Sequence, residues 1–514
     1  MLDNPNTEVA RKATRRDWIG LAVIAIPCLI YSMDLTVLYL AVPEIIADLK
    51  PSAAGLLWIV DIYGFMVAGA LVTMGTLGDR IGRRKVLLIG AAAFAVTSVL
   101  AAYAPSAEML IAARALQGLA AATLAPSTLS LLRNMFLDPD ERAFAIGIWV
   151  AGFSAGAAIG PVFGGLILAH FWWGAVFLIN VPVMVMLLVI GPLVLPEFRD
   201  PNAGRLDVKS AALSVISVLS IIYGIKHSAE VGWSWPALAA IVAGLVIGYV
   251  FFRREARLDD PLIDVRLFAA PAFSAALATN ILSLFMMLGT FLFITQYLQL
   301  VLGMNPLDAG LWMAPSGIVF ALGSMAAPLL VRHLHPATVI ACGLLLAAAG
   351  FALLTQIAAS NSPWLLFAGM MAFCAGMSPL GAITTDLVMG AAPPERAGAA
   401  SAISETSFEL GGALGIAVLG SLFTYIYGRT MDRADLSGLS PEMAKIARDT
   451  LGGAVDVAYG LPADAAVSLL ATSREAFVYA FEVASAVSAL GALLAAPVAL
   501  IVLRNAAKSR RAAH

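Results

Sequence analysis

Apolar residues in this chain come in long blocks broken by short polar stretches, at 18–43, 54–76, 86–104, 108–135, 143–169, 173–195, 208–227, 236–252, 272–302, 306–330, 338–357, 363–390, 398–427 and 476–503. About 20 apolar residues carry a helix through the hydrocarbon layer. A helix also satisfies its own backbone there, so fourteen membrane-spanning helices are expected. The one long break, 428–474, holds two stretches beginning at Pro441 and Pro462 that read as short amphipathic helices separated by Tyr459-Gly-Leu. They predict an external helical hairpin lying on the last two spans. Sliding the chain along itself brings Gly156, Gly160 and Gly165 onto Gly411, Gly415 and Gly420. This weak repeat predicts two six-helix bundles, at 18–195 and 272–503, with two inserted helices at 208–252. A leading segment at 1–17 and a tail at 504–514 complete the chain.

Composition agrees with that pattern: 61% of the residues are hydrophobic, 12% are charged, and the mean hydropathy is +0.89. A soluble domain of this length is excluded. If the N-terminus is cytoplasmic, the inside loops collect Arg80, Arg83, Arg84, Lys85, Arg142, Arg199, Arg253, Arg254, Arg257 and Arg332, while the outside loops before the long break hold only Lys50 and Lys226. The positive-inside rule then puts both termini in the cytoplasm. Arg11, Lys12, Arg15 and Arg16 precede the first apolar run, but no small-residue cleavage site follows, so the run is expected to be a retained helix. Cys28, Cys342 and Cys374 sit singly inside apolar runs and read as packing residues. The five histidines fall at loop or terminal positions without ligand spacing. No metal and no cofactor is expected.

Several ionisable residues stand inside the runs. Asp34 lies deep in the first, Asp61 in the second, Arg114 in the fourth, Asp386 near the cytoplasmic end of the twelfth, and Glu405 with Glu409 in the thirteenth. A charge near the bilayer centre costs at least about 2.5 kcal/mol, so such residues usually face a bundle interior or a wet path. Counting along each run puts Asp34 and Arg114 at one depth, roughly 9 to 14 Å below the outer surface. Glu405 and Glu409 share one helix face near the middle. Like charges there repel, so one of them is expected to hold a proton at rest. Trp58, Tyr63 and Phe408 are aromatic candidates for a cation-attracting lining.

Between runs two and three lies Gly75-Thr-Leu-Gly-Asp-Arg-Ile-Gly-Arg-Arg-Lys85, a short turn carrying four cations and one acid. Gly75 permits close helix approach and Gly82 permits the turn. Asp79 is placed to cap the next helix and to pair with Arg80 or Arg83. In run five, Gly152, Gly156, Gly160 and Gly164 recur every four residues beside Pro161 and Gly165, a smooth face next to a bend.

The turn resembles the signature loop of the major facilitator superfamily. Arg114-Ala-Leu-Gln-Gly118 resembles that family's helix-four motif, and Gly152 to Gly165 its helix-five antiporter motif. Asp34-Leu-Thr-Val, Trp173-Gly-Ala-Val-Phe-Leu-Ile-Asn-Val-Pro182, Trp58-Ile-Val-Asp-Ile-Tyr63 and Asp264-Val-Arg-Leu-Phe268 resemble motifs of the fourteen-helix drug:proton antiporter branch, closest to its quaternary ammonium exporters. The second-half copy of the turn, Leu330-Val-Arg-His-Leu-His335, has lost the acid and the glycines.

The resemblance implies an all-α major facilitator fold with a 6+2+6 arrangement of helices. It implies a monomeric, proton-coupled exporter of lipophilic cations in the bacterial inner membrane, with no nucleic-acid partner. Asp34, Arg114, Asp61 and Glu409 would couple protons, and Asp61, Glu405, Glu409, Trp58, Tyr63 and Phe408 would bind substrate. Gly75, Asp79, Arg80, Gly82 and Arg83 would form a conformational hinge. The glycine run would face the other bundle and let the two rock. An exporter of an endogenous metabolite, or a lipid-modifying enzyme or flippase, is the alternative. The latter would need a nucleophile or metal cluster that the histidines and cysteines do not supply. No phosphate-binding Gly-x-x-x-x-Gly-Lys-Ser/Thr loop points to nucleotide use.

Overall fold

The computed structural model describes residues 12–199, 207–232, 234–258, 261, 265–360, 363–391, 397–436 and 438–512. Asp264 of the Asp264–Phe268 motif lies outside them. The described residues form helices and no strand. The first three spans are α1 (Arg15–Leu49), α2 (Ala53–Ile81) and α3 (Arg83–Ala102). Next come α4 (Ala107–Met135), α5 (Pro139–Leu168) and α6 (Ala175–Val194). The inserted pair is α7 (Val208–Val231) and α8 (Trp235–Glu255). The second set begins with α9 (Pro271–Gln296), α10 (Pro306–His333), α11 (Pro336–Leu354), α12 (Pro363–Ala391) and α13 (Ala397–Met431). Two short helices, α14 (Pro441–Asp449) and α15 (Leu451–Tyr459), precede the long α16 (Ala463–Ala512). Among the described residues thirteen helices are long and apolar enough to cross a membrane, fourteen when bent α5 is included.

The chain's caps and prolines explain the boundaries. Thr14 and Asp17 form a reciprocal capping box at the start of α1, and the helix ends where Lys50 turns left-handed at φ 46° before Pro51. Helix α4 opens at Ala122 and Thr123, four and three residues before Pro126, which has no N–H to give to the preceding turn. Helix α6 is interrupted at Ile179, three residues before Pro182, for the same reason. Helix α5 bends by 40° between Phe144–Phe153 and Ala158–Leu168, one turn before Pro161.

Packing repeats between the two sets. Helix α1 packs on α5 as α9 packs on α13; α2 packs on α4 as α10 packs on α12; α3 packs on α6 as α11 packs on α16. The sets meet along two seams, α2 with α13 and α5 with α10. The inserted α7 and α8 pack on each other, and α7 packs on both α2 and α13 along their seam. The repeated glycines occupy matching places. A Cβ on Gly156 or Gly160 would strike α1 (Leu29 O at 2.1 Å, Thr36 Oγ1 at 2.1 Å), and on Gly411 or Gly415 would strike α9 (Ile281 O at 2.6 Å, Phe285 O at 2.0 Å). Gly165 meets Pro306 and Leu307 of α10, as Gly420 meets Leu57 of α2.

The hairpin differs from the expected one. Its two helices are α14 and α15, hinged at Thr450, which caps α15 by accepting from Gly453 N at 3.0 Å. The stretch after Pro462, expected as a second short helix, is instead the first part of α16. The expected break at Tyr459-Gly-Leu is present, between α15 and α16, and the Thr450 cap with two glycines behind it adds a second one upstream. The hairpin rests on α13 through Tyr427 Oη donating to Ala447 O at 2.9 Å. It also reaches α1: Lys50 pairs with Asp456 at 2.8 Å, and Gly452 lies against Ile46. At this end of the bundle Gln299 of the α9 extension also donates to Leu40 O of α1 at 3.1 Å.

Candidate functional site

Inside the first set of helices, Asp34 and Arg114 meet. Arg114 Nη1 donates to Asp34 Oδ2 at 2.5 Å, and both side chains are fully buried. Asn180 of α6 donates to Asp34 Oδ1 at 2.8 Å, and Gln117 Nε2 approaches the same oxygen at 3.5 Å. Gln117 also accepts from Arg114 Nη1 at 2.8 Å and donates to Ser98 Oγ of α3 at 3.0 Å. The guanidinium lies 4.4 Å from the Tyr63 ring centre and 5.7 Å from that of Phe177. Burying two charges costs several kcal/mol per ion unless further contacts compensate. Residues of α1, α3, α4 and α6 converge here: Asn180 and Gln117 serve Asp34, and Arg114, whose Nε and Nη2 have no hydrogen-bond partner among the described residues, rests on the Tyr63 and Phe177 rings. Gln117 and Asn180 sat within the quoted helix-four and Trp173–Pro182 stretches without an assigned role. Ser98 carried no signal at all.

One turn along α1 from Asp34, Tyr31 crosses to the second set. Its hydroxyl donates to Glu409 Oε1 of α13 at 2.6 Å. The Tyr31 ring sits 6.1 Å from Tyr63 and 5.6 Å from Phe153, which in turn packs edge-on at 4.8 Å against Trp149. Glu405 and Glu409 are half-buried on one face of α13, as the four-residue spacing requires. Phe408 turns aside and lies within van der Waals reach of Gly381 on α12. Asp386 is exposed.

Asp61 takes a different position from its neighbour Tyr63. Lys226 Nζ of α7 lies 2.7 Å from each Asp61 carboxylate oxygen and 3.8 Å over the Trp58 ring, and neither charged side chain is more than 1% exposed. The expectation that Lys226 stands in an outer loop is therefore corrected. Helix α7 continues to Val231, so Lys226 is inside it. His227, expected in a loop, also belongs to α7 and stacks on Tyr223 at 5.7 Å.

At the α2–α3 turn, Arg83 Nη2 pairs with Asp79 at 2.6 Å, and its stem fills the space left by Gly75 and Gly78. Arg83 Nη1 reaches Pro126 O of α4 at 3.4 Å. Arg80 is exposed. Gly82 has φ +119°, and a Cβ there would lie 2.4 Å from Glu197 Oε1. Asp79 does not cap α3; Glu197 accepts from Arg84 N at 3.1 Å, placing the carboxylate at that helix's positive end.

The four-spaced glycines face α1 in their own set, rather than the other set. A Cβ on Gly152 would lie 3.1 Å from Ala25 O, and on Gly164 3.0 Å from Val37. The seam with α10 is made by the adjoining strip of α5, where Ala158, the Pro161 carbonyl and Gly165 meet Gly317, Gly310 and Leu307.

This pairwise-repeated helical fold, with ionisable residues enclosed by both sets, defines a membrane transporter. The Major Facilitator Superfamily model matches residues 24–416, and the chain belongs to that family; it is a transporter and not an enzyme. It is 42% identical over 499 residues to the multidrug efflux pump LfrA of Mycolicibacterium smegmatis, covering 97% of this chain and 99% of that one. It is 33% identical to the methyl viologen resistance protein SmvA of Salmonella typhimurium over 93% of this chain and 96% of the other. The tetracenomycin C resistance and export protein of Streptomyces glaucescens is also 33% identical, over 97% and 93%. A bacterial homologue of the human lysosomal transporter Spinster, solved inward-facing and unoccupied, shares the fold at 16% identity with a TM-score of 0.67, covering 96% of this chain and 98% of its own.

Proposed function

We propose that this protein exports lipophilic organic cations in exchange for protons across the bacterial inner membrane, as a monomer with both termini in the cytoplasm. The observation that carries the reading is the Tyr31–Glu409 hydrogen bond, which ties a half-buried carboxylate to an aromatic group at the meeting of the two helix sets. A carboxylate beside Tyr31, Tyr63 and Phe153 suits a cation through charge and ring faces, without tight shape selection. Glu405, one turn away, gives a second charge for dications. Asp34, Arg114 and Tyr63 adjoin this site from the first set, with Asp34 as proton carrier and Arg114 tuning it. Protonation of Asp34 releases Arg114 from its partner, and the freed guanidinium lies over Tyr63, next to Tyr31. The bundles 18–195 and 272–503 rock about the α2–α13 and α5–α10 seams to expose the site alternately. The α2–α3 turn sets the balance between the two states. The likeness to LfrA, a multidrug efflux pump, and to SmvA, a methyl viologen resistance protein, supports drug efflux as the activity.

The test is uptake of tetraphenylphosphonium into inverted vesicles. Uptake that follows an imposed proton gradient and collapses with a protonophore supports the reading; uptake that survives the protonophore and requires ATP overturns it. One alternative is export of an endogenous metabolite, and the likeness to a tetracenomycin C resistance and export protein, named for a single compound, favours it. Uptake of organic anions in preference to cations would select it.

A further inference from the structure

The Lys226 ammonium occupies a place with the chemistry of a cation site. Two carboxylate oxygens of Asp61 lie at 2.7 Å, and the Trp58 ring faces it at 3.8 Å. The cation is supplied by the chain, on a flexible four-carbon stem, from the inserted helix α7, which packs on both α2 and α13. Next to it, Trp58, Phe65, Ile222, Leu410 and Ala413 form one continuous apolar cluster. That cluster leads along α2 to a cavity of about 180 Å³ between α2, α7, α8 and α13, lined by Phe65, Val72, Val215, Val218, Phe251 and Leu410. A dry apolar cavity of about 150 Å³ holds one benzene ring. Thr73 also lines it, with a buried hydroxyl that has no hydrogen-bond partner. Phe65 and Val72 lie four and eleven residues beyond Asp61, roughly 6 to 16 Å along the helix. Polar head and apolar tail of one small molecule fit that span.

We propose that Asp61 and Trp58 with the adjoining cavity form a second binding site, for an amphipathic organic cation, and that Lys226 is its built-in occupant. The cationic head of the substrate displaces the Lys226 ammonium from Asp61 and the Trp58 face while its alkyl or aryl part enters the cavity. A primary ammonium held by two oxygens makes the empty site electrically neutral, so only a cation with enough apolar surface to fill the cavity competes. Lys226 is thus a specificity-determining residue, presented by the inserted helix α7. This inference rests on the cation-export reading above, and it places a site apart from Glu405 and Glu409.

The experiment measures equilibrium binding of dodecyltrimethylammonium to the full chain in lipid nanodiscs. Removing the internal competitor by Lys226→Met should tighten binding about tenfold, a change of about 1.4 kcal/mol, and the double variant Asp61→Asn/Lys226→Met should lose that gain. Unchanged or weaker binding in a Lys226→Met protein that melts at the wild-type temperature overturns the inference, because it makes Lys226 a structural partner only. Should Lys226→Met not be purifiable, the wild type answers. Dodecyltrimethylammonium should increase modification of Lys226 by an amine reagent, read by mass spectrometry, and unaltered modification contradicts displacement. A wild type that binds neither dodecyltrimethylammonium nor tetraphenylphosphonium overturns the cation reading, and this inference with it. Wild-type binding with no gain in Lys226→Met overturns this inference alone.

Discussion

Tyr31 and Glu409, 378 positions apart in sequence, are joined by a 2.6 Å hydrogen bond that runs from the first helix set to the second. It links the site's carboxylate to the helix that carries Asp34, three residues away and on the same face of α1. It is a direct side-chain tie between the two sets.

Tyr31→Phe keeps the ring packing and removes only the donor. A hydrogen bond to a charged group contributes about 1.5–3 kcal/mol, so loss of this one should shift the balance of conformations by at least tenfold. Cysteine-labelling rates at engineered positions on each side of the membrane will read that shift. Identical labelling in the variant and the wild type would show that the bond does not help hold the observed state.

The Asp34–Arg114 pair invites a different comparison. Removing one partner of a buried pair costs about 3–5 kcal/mol because the other charge is left uncompensated. Arg114→Leu should therefore unfold at a clearly lower temperature than the wild type, and adding Asp34→Asn to it should recover part of the loss. If the double variant is no more stable than Arg114→Leu, Asn180, Gln117 and Ser98 rather than the charge pair dominate this network.

Much of this arrangement was legible before the structure. The apolar runs marked the spans, and a depth count put Asp34 level with Arg114, where they do meet. Partners contributed by distant segments were not legible. Lys226 was assigned to a loop because the apolar run weakens at residue 227, whereas α7 continues to Val231 once Asp61, 165 residues away, neutralises the charge. Likewise, the period of Gly152, Gly156, Gly160 and Gly164 identified a packing face without saying which helix it met. That depends on the rotation of α5, and α1 took the place expected for the opposite set. Asp79 lost the capping role to Glu197, which local sequence could not have indicated across 113 positions.

The glycine face makes its own prediction. Gly156→Ala would put a Cβ 2.1 Å from the Leu29 carbonyl, forcing α1 and α5 apart at a cost of about 1–3 kcal/mol, while Gly147→Ala has nothing within 4 Å. Thermal unfolding should separate the two variants, with Gly147→Ala near wild type. Equal melting temperatures would mean that α1 and α5 are not in the close contact seen here.

At the α2–α3 turn, Asp79→Asn should leave drug affinity near normal and slow turnover, since Asp79 pairs with Arg83 and touches no part of the site. Binding and transport measured on one preparation will check this. A fall in affinity as large as the fall in rate would make the turn part of the site.

An organic cation held at Glu409 and Glu405 should drive a proton off the acids it adjoins, Asp34 foremost, and proton release on cation binding tests this coupling most directly. Purified protein in weakly buffered detergent, mixed with tetraphenylphosphonium or methyl viologen, should acidify the medium in proportion to the cation bound. Organic anions should release nothing, and Asp34→Asn should bind at least some cations while releasing fewer protons. Cation binding with no acidification in the wild type, or acidification with anions alone, would contradict the account.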